Sequence, residues 1–81
     1  MILKGIINMG LAIKPKEIIK FLEDNGFILK NIEGSHHKYQ KGIFITTVPL
    51  HNRDLDIGTL LSILRLSGLT KRNLQDWLGR Q

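Results

Sequence analysis

The chain has 81 residues, enough for one small domain but too few for a deep, enclosed active-site cavity. It contains no cysteine, which excludes disulfide bonds and thiolate metal sites. Lys and Arg outnumber Asp and Glu by 12 to 7, and the formal net charge of +5 favours a polyanionic partner such as nucleic acid. No apolar run approaches the roughly 20 residues that a membrane-spanning helix needs.

The chain begins with an apolar stretch, residues 1–12, that is interrupted by Asn8 and Gly10. We expect this stretch to be a loose N-terminal extension of a single domain, residues 1–81. Two alternatives remain open: an added edge strand, and a signal peptide, although the stretch lacks a small-residue cleavage site. Met9 is also a candidate for the true start of the protein.

The sequence pattern predicts a first helix over residues 14–25. Pro15 suits the first turn, where its missing N–H removes no hydrogen bond within the helix. Ile18, Phe21 and Leu22 form an apolar stripe at i, i+3 and i+4. Gly26 follows, at the position where a left-handed C-terminal cap is expected.

Three strand-like segments come next, at residues 27–33, 36–40 and 43–48. Gly34-Ser35 separates the first two segments, as a turn would. We predict a two-residue hairpin turn at Lys41-Gly42, with the glycine supplying a positive φ. The third segment is rich in β-branched and aromatic residues and stops at Pro49.

Two more helices are predicted after a polar loop. Asp56 is a good N-cap for residues 57–67, and Gly68 ends that helix. Thr70 caps a short last helix at residues 71–79. The order α-β-β-β-α predicts an α+β fold, in which two helices cover one face of a three-stranded antiparallel sheet.

The predicted hairpin register decides which side chains face the core. With a turn at Lys41-Gly42, the cross-strand partners are Tyr39 with Phe44 and His37 with Thr46. Because side chains alternate along a strand, one face carries His37, Tyr39, Phe44, Thr46 and Val48. We assign that face to the core, which directs His36 outward beside Lys38. A shift of one residue would reverse the assignment.

The adjacent histidines allow three interpretations. His36 and His37 point to opposite faces of a regular strand, so they cannot both bind one metal ion, and no helical pair of histidines exists. An exposed His36 could instead serve as an acid or base on RNA, with Lys38 and Lys41 stabilising charge on phosphorus. The remaining interpretation is an ordinary surface histidine. His51 is either a loop residue or a second acid or base.

Two stretches of the chain resemble the HicA toxins of bacterial HicA/HicB toxin–antitoxin pairs: FLEDNGFILKNIEGSHHKY and TTVPLHNRDLDIGTLLSILRLSGLT. The matching pieces are Gly34-Ser35-His36-His37, Val48-Pro49 with His51, Gly58-Thr59-Leu60, Ile63-Leu64 and Gly68-Leu69. They cover about residues 14–70, and their order and spacing are more specific than any one of them. The chain departs from the family in its first dozen residues and at Thr46, where an apolar residue is common.

The resemblance implies a double-stranded-RNA-binding-domain-like fold with its core at residues 13–70. It also implies a ribonuclease, an mRNA interferase that cuts mRNA in the cytoplasm and arrests translation without a metal or cofactor. The resemblance assigns the catalytic role to His36 rather than His37. A HicB antitoxin is expected to bind the toxin and block His36.

Some alternatives stay open at this point. A single histidine would have to act as base and acid in turn, and the second group could be His51, a lysine or water. We hypothesise that Lys38, Lys41 and Ser35 hold the RNA backbone, because they flank His36. One rival reading is a non-catalytic module that binds duplex RNA by shape. Another is a protein-interaction domain whose charge only aids solubility.

Overall fold

The computed structural model describes residues 12–81. The predicted extension, its alternative as an edge strand, and the start at Met9 concern residues 1–11, which lie outside the described part. The elements in chain order are α1 (Pro15–Asp24), β1 (Ile28–Glu33), β2 (His36–Lys41), β3 (Phe44–Pro49), α2 (Ile57–Ser67) and α3 (Lys71–Gly79). The predicted α+β fold, with its α-β-β-β-α order and short C-terminal helix, is confirmed.

Local signals set both ends of α1. The backbone N–H of Lys14 donates to Oε1 of Glu17 over 2.9 Å, which fixes the entry of the chain into the helix. Gly26, just beyond the last turn, has a φ of 92°, a conformation that residues with a side chain rarely adopt. Between these ends, the helix buries one apolar stripe, formed by Pro15, Ile18, Phe21 and Leu22.

The three strands form an antiparallel meander in the order β1-β2-β3. The turn between β1 and β2 is Gly34-Ser35, as predicted, and it makes Glu33 and His36 direct cross-strand partners. Gly34 has a φ of 60°. A positive φ at the first central residue is typical of type II′ turns, whose twist matches that of the flanking strands.

The turn between β2 and β3 is Gly42-Ile43, so the predicted turn at Lys41-Gly42 is wrong. Lys41 pairs with Phe44, and Gly42 takes a φ of 59° as the first central residue. A type I′ turn at Lys41-Gly42 would require a positive φ at both central residues, including Lys41. The observed turn places the positive φ on glycine alone, which avoids steric strain at a residue with a Cβ.

The predicted cross-strand pairs are therefore wrong by two residues, because His37 pairs with Val48 and Tyr39 with Thr46. An even shift leaves each side chain on its predicted face. The inner face, which packs on the helices, includes His37, Tyr39, Phe44, Thr46 and Val48, whereas the outer face includes His36, Lys38, Gln40, Ile45 and Thr47. The outward direction of His36 thus holds despite the wrong turn.

An irregularity interrupts β1, which lies at one edge of the sheet formed by residues 12–81. Leu29 pairs with Tyr39 and Asn31 pairs with Lys38, so Lys30 is an extra residue without a cross-strand partner. This arrangement is a β-bulge, which bends the strand locally. It allows Leu29 and Ile32 both to lie on the inner face, although both stay exposed because the helices pack mainly against β3.

The core lies between the inner face and the helices. In the described part of the chain, thirteen buried hydrophobic residues form one cluster: Ile13, Ile18, Phe21, Leu22, Phe27, Tyr39, Val48, Leu55, Leu60, Ile63, Leu64, Leu74 and Trp77. The short helix α3 closes this core through Trp77, whose ring packs edge-on against Phe21 with centroids 5.5 Å apart. The indole N–H of Trp77 donates to a carboxylate oxygen of Asp24 over 2.8 Å, which joins the last helix to the first.

Candidate active site

His36 occupies an open position at one end of the sheet. It is the first residue of β2, its side chain is exposed on the outer face, and it follows directly after the Gly34-Ser35 turn. Its cross-strand partners are Glu33 on β1 and Pro49 on β3. Because no helix of residues 12–81 covers the outer face, an extended polyanion could approach His36 directly from solvent.

His37 lies in a different environment. It sits on the inner face between Ile32 and Val48 and is half-buried. The two adjacent histidines therefore point to opposite sides of the sheet, and they cannot bind the same metal ion. Within residues 12–81, no three His, Cys, Asp or Glu side chains come close enough together to hold an ion.

A backbone hydrogen bond fixes the surroundings of the first turn. The N–H of Leu50 donates to the carbonyl oxygen of Ser35 over 2.7 Å. This bond joins the turn before His36 to the first residue after β3. Ser35 thus has a structural role through its backbone, while its side chain remains exposed beside His36.

His51 directly follows Leu50, whose N–H bonds this turn, and its imidazole accepts a hydrogen bond from its own loop. Its Nδ1 accepts a hydrogen bond of 3.1 Å from the backbone N–H of Arg53, which leaves the proton of a neutral ring on Nε2. The side chain lines an open groove of about 510 Å³ at the start of α1, together with Lys14, Lys16, Glu17 and Asn52. His36 does not line that groove.

The two lysines predicted to flank His36 are separated. Lys38 shares the outer face with His36 and lies two residues along the same strand, about 7 Å away at the backbone. Lys41 is five residues away, at the far end of the strand, about 17 Å along β2. Lys41 also lies on the inner side, where its side chain passes next to Gly26. Only Lys38 is therefore close to His36.

The sequence prediction missed Glu33. This residue is exposed and directly opposite His36 in the sheet. A signal for it was present, because a two-residue turn at Gly34-Ser35 forces the residues on either side of it to pair. The outer face at this end thus combines an imidazole, a carboxylate and, one row further, the ammonium group of Lys38. The imidazole and the carboxylate can accept or donate a proton, and the ammonium group can stabilise negative charge on a phosphodiester.

The far end of the outer face has a different character. Ile28, Gln40 and Ile45 form one row across the three strands. The side chains of Ile28 and Ile45 are 65% and 45% exposed. The outer face is therefore polar and ionisable at the end that holds His36, and apolar at the opposite end.

The comparison with family models gives one assignment for most of this fold. The model of the HicA toxin of bacterial toxin–antitoxin systems matches residues 15–69. This range runs from the start of α1 to just beyond α2, and it includes the whole sheet and His36. The comparison with curated proteins gives no match. With more than half of its length matched by this model, the chain belongs to the HicA family of toxins of bacterial toxin–antitoxin systems.

Proposed function

We propose that this toxin is an endoribonuclease, an mRNA interferase that cleaves mRNA in the cytoplasm with His36 and thereby arrests translation. The observation that carries the proposal is the position of His36 in a HicA-family chain. It is an exposed histidine, directly after the Gly34-Ser35 turn, on the face of the sheet that the described helices leave uncovered. The net charge of +5 supports a nucleic-acid substrate.

The chemistry proposed for His36 is acid–base catalysis of phosphodiester cleavage. In such a reaction, the 2′-hydroxyl loses its proton and attacks the adjacent phosphorus, and the 5′-oxygen leaves with a proton from an acid. The products are a 2′,3′-cyclic phosphate and a 5′-hydroxyl. DNA lacks the 2′-hydroxyl, so this mechanism selects RNA. Each of these steps moves a proton, and an exposed imidazole can donate or accept one.

Lys38 is the residue proposed to hold the RNA backbone beside His36. Its position on the outer face, one row from His36, would place an ammonium group near the phosphate that is cleaved. Lys41 is a matched control, because it is also an exposed lysine of β2 but lies at the other end and on the other face. We expect Lys38→Ala to lower the salt dependence of RNA binding by about one phosphate contact. Lys41→Ala should change it less.

A HicB-type antitoxin is the proposed protein partner, since membership of the family implies a cognate antitoxin. The row of Ile28, Gln40 and Ile45 supports binding over the outer face, because its two exposed isoleucines are suited to a protein contact rather than to phosphates. A partner that covered the row and extended along the strands would also cover His36. Such coverage would exclude RNA from the face.

Growth arrest on induced expression tests the proposal. The wild-type protein, His36→Ala and the control His51→Ala are each expressed with and without the neighbouring antitoxin gene. We expect arrest and loss of mRNA with the wild type and with His51→Ala, no arrest with His36→Ala, and rescue by the antitoxin. Circular dichroism of each variant establishes that it is folded. Equal arrest by wild type and His36→Ala would contradict the proposal and favour a non-catalytic RNA-binding module.

A further inference from the structure

We infer that Glu33 is the general base that works with His36, which makes the site a carboxylate–imidazole pair. This inference rests on the proposed ribonuclease function and names the second proton-transfer group. In it, the ionised carboxylate of Glu33 takes the proton of the 2′-hydroxyl. The imidazolium form of His36 gives a proton to the leaving 5′-oxygen.

The sheet holds the two residues as direct neighbours. Glu33 ends β1, His36 begins β2, and only the Gly34-Ser35 turn lies between them. Directly opposite residues of an antiparallel pair have Cβ atoms about 4.5–5.5 Å apart and lie on the same face. Both side chains are exposed on the outer face. One group can therefore reach each side of a phosphodiester that lies across the turn.

The hydrogen bond between Leu50 and Ser35 adds rigidity to this arrangement. It joins the turn to the end of β3 over 2.7 Å, so the backbone that carries Glu33 and His36 is held by all three strands and not only by the β1–β2 hairpin. Within residues 12–81 the carboxylate of Glu33 forms no salt bridge with a Lys, Arg or His side chain. Its oxygens are available to accept a proton.

The other groups around His36 do not fit the role of a base. Pro49, the partner of His36 on β3, carries no ionisable side chain. Lys38 in its ammonium form has donors and no acceptor. His51 already uses Nδ1 to accept the N–H of Arg53, and it lines the groove at the start of α1. Glu33 is the acceptor that the register places beside His36.

The proposed step balances in protons and electrons. The 2′-O–H bond breaks and its proton moves to Glu33. The electron pair of the 2′-oxygen forms the new bond to phosphorus. The bond between phosphorus and the 5′-oxygen breaks, and that oxygen takes a proton from His36. Glu33 ends the step protonated and His36 ends it neutral. Exchange with water restores both groups, and no oxidant, reductant or metal enters the balance.

The test measures single-turnover cleavage of a short RNA by the purified full chain between pH 4.5 and 9. The variants are Glu33→Gln, His36→Ala and the control Glu23→Gln, which makes the same chemical change on the exposed surface of α1. General acid–base catalysis contributes about 10²- to 10⁴-fold to a rate. We therefore expect Glu33→Gln to lose about 10²-fold or more of the cleavage rate. Its affinity for RNA should stay at the wild-type value. Glu23→Gln should retain the wild-type rate.

A second substrate separates the two roles. An RNA whose leaving 5′-oxygen is replaced by sulfur needs little protonation of the leaving group. On this RNA the activity of His36→Ala should recover, while Glu33→Gln should stay slow. Recovery of the Glu33→Gln cleavage rate on the sulfur substrate would overturn the assignment of Glu33 as the base. A wild-type rate of Glu33→Gln on ordinary RNA would overturn it as well. Absence of cleavage by the folded wild type on both substrates would instead reject the proposed ribonuclease function.

Discussion

Gly68 is a position where one methyl group should be costly. It ends α2 in a left-handed conformation with a φ of 73°. A Cβ added there would lie 2.7 Å from Cε1 and 2.9 Å from Cζ of Phe44. Real Cβ atoms essentially never come this close to a ring, so Gly68→Ala must move either the ring or the helix end.

The expected cost has two parts. A left-handed conformation disfavours a residue with a Cβ by about 1–2 kcal/mol. Displacement of the Phe44 ring adds about 1 kcal/mol, at the low end of overpacking effects, because the ring is 42% exposed and can partly turn into solvent. The sum is about 2–3 kcal/mol, against a total stability of roughly 4–12 kcal/mol for a domain of 81 residues.

Urea denaturation followed by Trp77 fluorescence measures this cost, with Gly58→Ala as a matched control. Gly58 lies in the first turn of α2 and has nothing within 4 Å of an added Cβ, so the control should leave stability unchanged or raise it by up to about 1 kcal/mol through better helix propensity. In a Phe44→Ala background, Gly68→Ala should cost only the conformational part. A cost of Gly68→Ala below about 1 kcal/mol would refute the reasoning, as would a loss of stability in the control.

Three further predictions concern buried polar groups. Thr46→Val should raise the free energy of unfolding by about 1 kcal/mol, because the hydroxyl oxygen of Thr46 is buried and finds no hydrogen-bond partner among residues 12–81. A lower urea midpoint would contradict this. Trp77→Phe should lower thermal stability, because it removes the 2.8 Å hydrogen bond to Asp24 and costs about 1.5–3 kcal/mol; an unchanged midpoint would count against a role for this bond. Burial, and to a smaller extent the charge of Glu23, raises the pKa of Tyr39 in the folded protein. The unfolded chain therefore loses the phenol proton at a lower pH than the folded protein, and the free energy of unfolding should fall as pH rises above about 10. Tyr39→Phe should show a weaker decrease in the same titration.

Local chemistry made most of the fold predictable. The apolar stripe of α1, the glycine after α2 and the cap at Thr70 each follow from a few neighbouring residues. The hydroxyl of Thr70 accepts the N–H of Asn73 over 3.0 Å, as an N-cap should. Such signals act within one turn of chain, so they can be read without knowledge of the tertiary structure.

The errors arose where two strands had to be aligned. Turns at Lys41-Gly42 and at Gly42-Ile43 both place a glycine in a two-residue loop, and only the sign of φ at Lys41 separates them. The bulge at Lys30 had no sequence signal, since it depends on how β1 meets β2. The outward position of His36 was predicted correctly because side chains alternate along a strand, and a register error of two residues leaves each side chain on its face. The separation of Lys41 from His36 was missed because proximity in sequence was taken for proximity in space.

The bulge at Lys30 also affects how molecules of this protein meet one another. Within residues 12–81, β1 is an edge strand with exposed Leu29 and Ile32. Unpaired backbone groups beside apolar side chains favour edge-to-edge pairing and aggregation. The bulge breaks the regular spacing of those backbone groups, and its extra residue is a lysine, which a second strand would have to bury. The sheet can therefore keep an apolar edge exposed while resisting growth into a larger sheet through β1.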